Sequence, residues 1–269
     1  MPFPDGHFYS PVCDSADLAN RVSELWPTAP KVLGIEMNDA YHRKVLSEWF
    51  PKYMAGFDYP EAGDEQNATQ FFTGNSQFSW LDSRALFVLL QAWRPKRLIE
   101  VGSGFSSLLC VDVKRRFVND MHITCVEPYP RPFLSKIPDI NLVQRGVETL
   151  GLDVFQQLEA GDILFIDSSH VAKTGSDVNF LIFEVLPRLK AGVRIHIHDI
   201  FLPADYPQEW VLVENRSWNE QYVIRALLMY STAFEVLFSS AYAKFAFPHD
   251  VPFGGGSLWI ERRASAATA

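Results

Sequence analysis

The chain has 269 residues, 48% of them apolar and 14% aromatic, enough to fill a sizeable core in one or two domains. Its 24 Lys and Arg stand against 32 Asp and Glu, a formal net charge of -8. That balance leaves no basic footprint for nucleic acid or an anionic membrane surface, and no apolar run reaches the ~18 residues of a membrane span.

In chain order, the start MPFPDGHF has no basic stretch followed by an apolar one, so no secretory signal is expected. The three cysteines, Cys13, Cys110 and Cys125, are odd in number and widely spaced. Cys110 and Cys125 fall in a helix and a strand that read as buried, so the cysteines read as small core residues of a protein in a reducing, cytoplasmic setting. The segments DLANRVSELW (17–26) and NDAYHRKVLSEWF (38–50) have helical spacing, with Asn38 as a candidate N-cap. Residues 55–78 read as an ordered loop. A helix over 79–93 follows, with Ser79 and Asp82 at capping-box spacing and Pro95 as its stop.

From residue 97 the pattern changes to short apolar strands separated by helices. Strands are predicted at 97–101, 122–127, 140–145, 162–167 and 193–199, and helices at 106–117, 150–158 and 174–189. After a helix over 218–230, FEVLFSSAY (234–242) and SLWIE (257–261) read as two strands with no helix between them. The expected fold is α/β, a doubly wound and mostly parallel sheet whose final strand is antiparallel. The division is a helical and irregular extension over 1–78 that covers the cleft, a core over 79–262 and a loose tail over 263–269.

The bend GSG (102–104) follows the first strand, where a doubly wound sheet takes its ligands and backbone can approach without a Cβ. Glu100 precedes it, a carboxylate that opposes a phosphate and welcomes a cation. Ser107 stands where a dinucleotide fingerprint has its third glycine. Glu127 ends the second strand, 23 residues after Gly104, placed to accept ribose hydroxyls, and Pro128 and Pro130 stiffen the loop beyond it. An adenosine with a cationic amino-acid end and no phosphate fits all three features; S-adenosylmethionine is such a ligand.

On IEVGSGFSS, VEPYP, ILFIDSSH and LPRLKAGVRIHIHDIF, the chain resembles the class I S-adenosylmethionine-dependent methyltransferases, and among them the bacterial small-molecule O-methyltransferases. The resemblance covers roughly 97–262. It implies that Glu100 contacts the methionine end of the cofactor, directly or through water, that Gly102, Ser103 and Gly104 wrap it, that Glu127 with Pro128 holds the ribose, that Glu148 lies near the adenine, and that Asp167 also belongs to the cofactor site. It also implies that Asp167 and Asp199, at the ends of the fourth and fifth strands, hold magnesium or a similar divalent metal as in the metal-dependent O-methyltransferases. Ile200 stands where that pattern has a third, Asn ligand.

A hydroxyl acceptor must lose a proton, by a positioned base or by a cation that lowers its pKa. His170 is the first candidate base and His198 the second, with Asp199 as a further candidate catalytic residue. His196 and His198 share one strand face with Asp199 on the other, so an H-x-H transition-metal site is a further option. Tyr206, Trp210, Trp218 and Tyr222 are candidate walls for an aromatic or sugar acceptor. The expected activity is methyl transfer to a small hydroxylated molecule, with no nucleic-acid or membrane partner and a homodimer as an option. An NAD-linked oxidoreductase, a metal-dependent oxygenase and a non-catalytic cofactor-binding protein are the alternatives.

Overall fold

The computed structural model describes residues 3–264; the tail expected over 263–269 lies outside them from residue 265 onward. Four short helices come first: α1 (Ser15–Ala19), α2 (Val22–Leu25), α3 (Asp39–Lys44) and α4 (Phe50–Tyr53). The single helix predicted over 17–26 is broken where Asn20 turns its amide back onto the Ala16 carbonyl. Asn38 caps α3 by accepting the Tyr41 N–H.

α5 (Trp80–Trp93), β1 (Arg97–Val101), α6 (Phe105–Phe117), β2 (His122–Val126), β3 (Ile140–Val143), α7 (Asp153–Gln156), β4 (Ile163–Ile166), α8 (Asp177–Asn179) and β5 (Arg194–Ile197) form the parallel part. The helical path of α8 continues to Arg188 in wider and then tighter turns. α9 (Gln208–Leu212), α10 (Glu220–Leu228), β6 (Phe234–Ser239), α11 (Ser240–Ala246) and β7 (Leu258–Arg262) complete the chain. The sheet order is β3-β2-β1-β4-β5-β7-β6, with β7 antiparallel to both of its neighbours. Strand order reverses between β1 and β4, which opens a crevice at their carboxyl ends.

Two sequence expectations are corrected. α11 lies between the last two strands, because the Ser239 hydroxyl accepts the Tyr242 N–H and starts a helix where FEVLFSSAY read as continuous strand. Asp82 does not close a capping box with Ser79. Its carboxylate instead accepts the N–H groups of Gly256 and Ser257, both at 2.9 Å, and ties α5 to the loop before β7.

Strand alternation decides what each face buries. Leu98 and Phe165 point into one layer with α5, α6 and the loop residues Phe71, Phe72 and Phe78. Ile99, Val101, Leu164, Ile166, Ile195 and Ile197 point into the other, against the helical segment after α8 and α10. By the same alternation Glu100 and His196 face the α5–α6 layer, not the mouth of the crevice. Among the described residues no helix is long and apolar enough to cross a membrane.

Candidate functional site

Gly102 sits at φ +78°, and a Cβ there would lie 1.7 Å from the Asp167 carbonyl oxygen, so the ends of β1 and β4 close on each other through the missing side chain. The next two N–H groups are then spoken for. Ser103 N–H donates to Glu127 Oε2 at 3.2 Å, and Gly104 N–H donates to the Ser107 hydroxyl at 3.1 Å. Ser107, in the place of a third glycine, thus uses its hydroxyl to brace the bend, and the same hydroxyl donates onward to Glu100.

Glu100 departs from the sequence expectation. It is fully buried, with Ser106 donating to one oxygen at 2.6 Å and Ser107 to the other, and Cys125 Sγ 3.4 Å away. It therefore anchors the start of α6 from behind and does not line the cleft, because its even position on β1 turns it into the helix layer. Burial pushes its carboxyl up to about 7, against the hydroxyl and thiol contacts that favour the ionised form. Below its ordinary pKa the group is protonated whether folded or not. Between that value and about 7 the unfolded chain ionises first, so stability falls as pH rises through this window. Glu100→Gln removes this dependence. The stability difference between wild type and variant should change by on the order of 3 kcal/mol between pH 4.5 and 7.5. Urea titrations at both pH values check it, and parallel curves for the two proteins would contradict it.

The crevice has two joined lobes of about 520 and 540 Å³ that share Gly102, Glu127, Asp167, Ser168 and Ser169. One lies over β1, β2 and β3 and reaches Pro128, Tyr129, Val147 and Glu148. The other lies over β1, β4 and β5 and reaches Phe78, His170, His198, Asp199, Trp210 and Trp218. The predicted residues Gly102, Ser103, Gly104, Glu127, Pro128, Glu148, Asp167, His170, His198 and Asp199 all line one lobe or both. The hydroxyl oxygens of Ser103 and Ser168 are buried beside the cleft without a geometric hydrogen bond to protein. Trp210 and Trp218 wall the second lobe, with the Arg216 guanidinium 4.1 and 4.6 Å from their ring centres. Tyr206 and Tyr222 do not; they line a neighbouring pocket that Trp218 shares.

At the floor of the second lobe, His170 Nε2 is 3.4 Å from Asp167 Oδ1 and 3.4 Å from Asp199 Oδ2. His198 Nδ1 is 3.5 Å from one oxygen of each of the same carboxylates. His170 and Asp199 hold positive φ values of 59° and 57°, and at Asp199 this turn brings its carboxylate beside His198, not opposite it as strand alternation implied. His196 does not join them. It stacks on Phe165 at 3.7 Å, its Nε2 meets the Ser257 hydroxyl, and burial pushes it well down, so it is a neutral core ring.

Burial lowers the basicity of His170, but contacts with Asp167 and Glu220 and the charges of Asp167 and Asp199 outweigh it and push the ring up to about 10. His198 is also driven well up against burial, by Asp199 and Asp167. Asp167 is lowered despite its burial penalty, chiefly by His198 and His170. A ring held as imidazolium has no lone pair for a proton, so the base role expected of His170 and His198 does not follow from this arrangement.

Two buried members of the cluster carry no sequence signal. Asp82 reads as a capping residue and faces His198 Nε2 at 3.5 Å; Glu220 reads as one more polar residue of a helix and lies 3.0 Å from His170 Nδ1. Only the topology brings them in, from α5 and α10.

Residues 99–200, which hold the glycine bend, Glu127, Asp167, His170 and Asp199, match the methyltransferase domain family. A protein of Archaeoglobus fulgidus, described as uncharacterized, is 35% identical over 164 residues, which is 58% of this chain and 74% of that protein. Among solved structures, an SAH-bound methyltransferase of Podospora anserina aligns over 92% of this chain and 96% of its own, at 17% identity and a TM-score of 0.46. Residues 99–200 thus form a methyltransferase domain, set on a seven-stranded sheet with a reversed edge.

Proposed function

We propose that the protein transfers the methyl group of S-adenosylmethionine to a hydroxyl oxygen of a small acceptor, with a divalent cation held at Asp167, Asp199 and His170. The observation that carries the choice of oxygen is the cluster on the floor of the second lobe. Asp82, Asp167, Asp199 and Glu220 bring four carboxyl groups to two imidazoles, so the cluster lacks positive charge even with both rings protonated. The donors of Asp167, His170 and Asp199 all lie within 4.8 Å of one another. Donors about 2.1 Å from one ion stand roughly 3.0–3.4 Å apart, which the 3.4 Å contacts of His170 match. A cation there would make the acceptor hydroxyl more acidic and fix its oxygen.

The other residues divide by lobe. Gly102, Ser103 and Gly104 wrap the methionine part. Glu127 still has unused lone pairs after taking the Ser103 and Tyr129 N–H groups, and these take the ribose hydroxyls. Pro128 and Glu148 lie toward the adenine, while Trp210 and Trp218 enclose the acceptor. In the transfer the acceptor oxygen forms a bond to the methyl carbon and the C–S bond breaks. Sulfur keeps that electron pair, and the hydroxyl proton leaves to solvent at the cleft mouth.

Glu127→Ala tests the cofactor half. Losing charged hydrogen bonds of about 1.5–3 kcal/mol should weaken S-adenosylhomocysteine binding roughly 10- to 100-fold in calorimetry. Unchanged affinity would place the ribose elsewhere, and tight NAD binding in its stead would discard methyl transfer.

A further inference from the structure

Glu220 is 1% exposed at the first turn of α10, and in the reading above it counts only toward the charge of the cluster, neither as a cation ligand nor as a substrate contact. Its Oε2 is 3.0 Å from His170 Nδ1. The backbone is joined at the same point, because the His170 carbonyl accepts the N–H groups of Asn219 at 3.1 Å and Glu220 at 3.2 Å. The ring face lies on Trp218, 4.4 Å between centres. The imidazole is therefore held by its main chain, by one nitrogen and by one face. What remains is Nε2, directed at Asp167 and Asp199.

A buried carboxylate–imidazole pair is a poor way to add stability, since well-packed apolar residues of similar volume do as well or better. It is an effective way to fix a tautomer. When a cation displaces the Nε2 proton, a carboxylate at Nδ1 keeps the ring's remaining proton on that atom and leaves the Nε2 lone pair facing the ion between the two aspartates. A site of two carboxylates and one imidazole differs from an all-oxygen site. Magnesium keeps oxygen ligands and waters, whereas imidazole suits the first-row transition ions.

We propose that Glu220 is a positioning residue that holds His170 as a nitrogen donor, so that the cleft selects a first-row transition ion over magnesium. This rests on the cation reading of the cluster given above, and it departs from the magnesium that the sequence resemblance implied.

The test is calorimetric titration of the chelator-stripped full chain with Mg²⁺, Mn²⁺ and Co²⁺, with the Co²⁺ visible absorption recorded alongside. Wild type should bind Co²⁺ at least about 100-fold more tightly than Mg²⁺. Glu220→Ala should weaken Co²⁺ binding roughly 10- to 100-fold and shift its absorption band. Glu220→Gln, whose amide oxygen accepts the same Nδ1–H bond, should recover most of that loss. His170→Ala should bring Co²⁺ and Mg²⁺ to within about 10-fold of each other by removing the nitrogen ligand. S-adenosylhomocysteine affinity serves as the control that each variant is folded, and should stay within about 3-fold. Equal binding of Mg²⁺ and Co²⁺ by wild type, or Co²⁺ binding by Glu220→Ala as tight as by wild type, overturns this inference while leaving a cation in the cleft. Failure of wild type to bind any of the three ions overturns the cation reading as well.

Discussion

Replacing Gly102 by alanine should abolish S-adenosylhomocysteine binding and lower the melting temperature by roughly 10 °C, the largest effect expected of any single methyl group in this chain. Two penalties coincide. At φ +78° an L-residue is strained by about 1–2 kcal/mol. The new Cβ would also lie 1.7 Å from the main-chain oxygen of Asp167, an overlap that no side-chain rotation relieves. The Asp167 N–H donates to the Val101 carbonyl at 2.8 Å, so moving Asp167 aside breaks the last link between β1 and β4. Overpacking of this kind costs about 1–3 kcal/mol more. The strain falls where the two lobes join, so the ligand site is lost before the sheet is. Thermal melts and calorimetry on the purified variant measure both. A variant that bound within about 3-fold of wild type would mean that the end of β4 yields without disturbing the cleft.

Much of this region is legible in the sequence because its signals are local. An apolar strand running into G-S-G, an acidic residue at the end of the next strand, and Asp167 and Asp199 after two further apolar strands each declare themselves within a few residues. Glu100 shows the limit of such reading. Its spacing from the glycines is right, yet period-2 alternation on β1 sets it on the α6 side, where Ser106 and Ser107 occupy it. The segment at 234–242 has the composition of a strand throughout, and a single hydroxyl cap at Ser239 converts its second half to helix. Asp82 and Glu220 escape altogether. Each lies on a helix distant in sequence from the histidine it faces, 116 residues for Asp82 and His198 and 50 for Glu220 and His170. The left-handed turns at His170 and Asp199 are equally silent, since neither residue type requires a positive φ. The scaffold of the cleft is thus written locally, while the electrostatics of its floor are written by the fold.

That division predicts separable defects. Asp199→Asn should reduce methyl transfer by on the order of 10²-fold or more while S-adenosylhomocysteine binding stays within about 3-fold of wild type. Asp199 lines only the second lobe, whereas the adenosine side of the cleft is built by Glu127, Pro128 and Glu148. The amide keeps the shape of the carboxylate, so it preserves the tight packing of the Gly256 backbone against Asp199. What it removes is the negative charge shared by His170 and His198, together with an anionic oxygen donor for a cation. The loss should therefore appear in turnover and in cation affinity, and not in the nucleoside site. Transfer of radiolabelled methyl from S-adenosylmethionine across a panel of phenols and sugars, with calorimetry on the same preparations, separates the two. Glu127→Ala gives the converse pattern, since its carboxylate touches the glycine bend and not the histidine cluster. Equal loss of nucleoside binding in both variants would mean that the lobes act as one site, and the assignment of cofactor to one and acceptor to the other would fail.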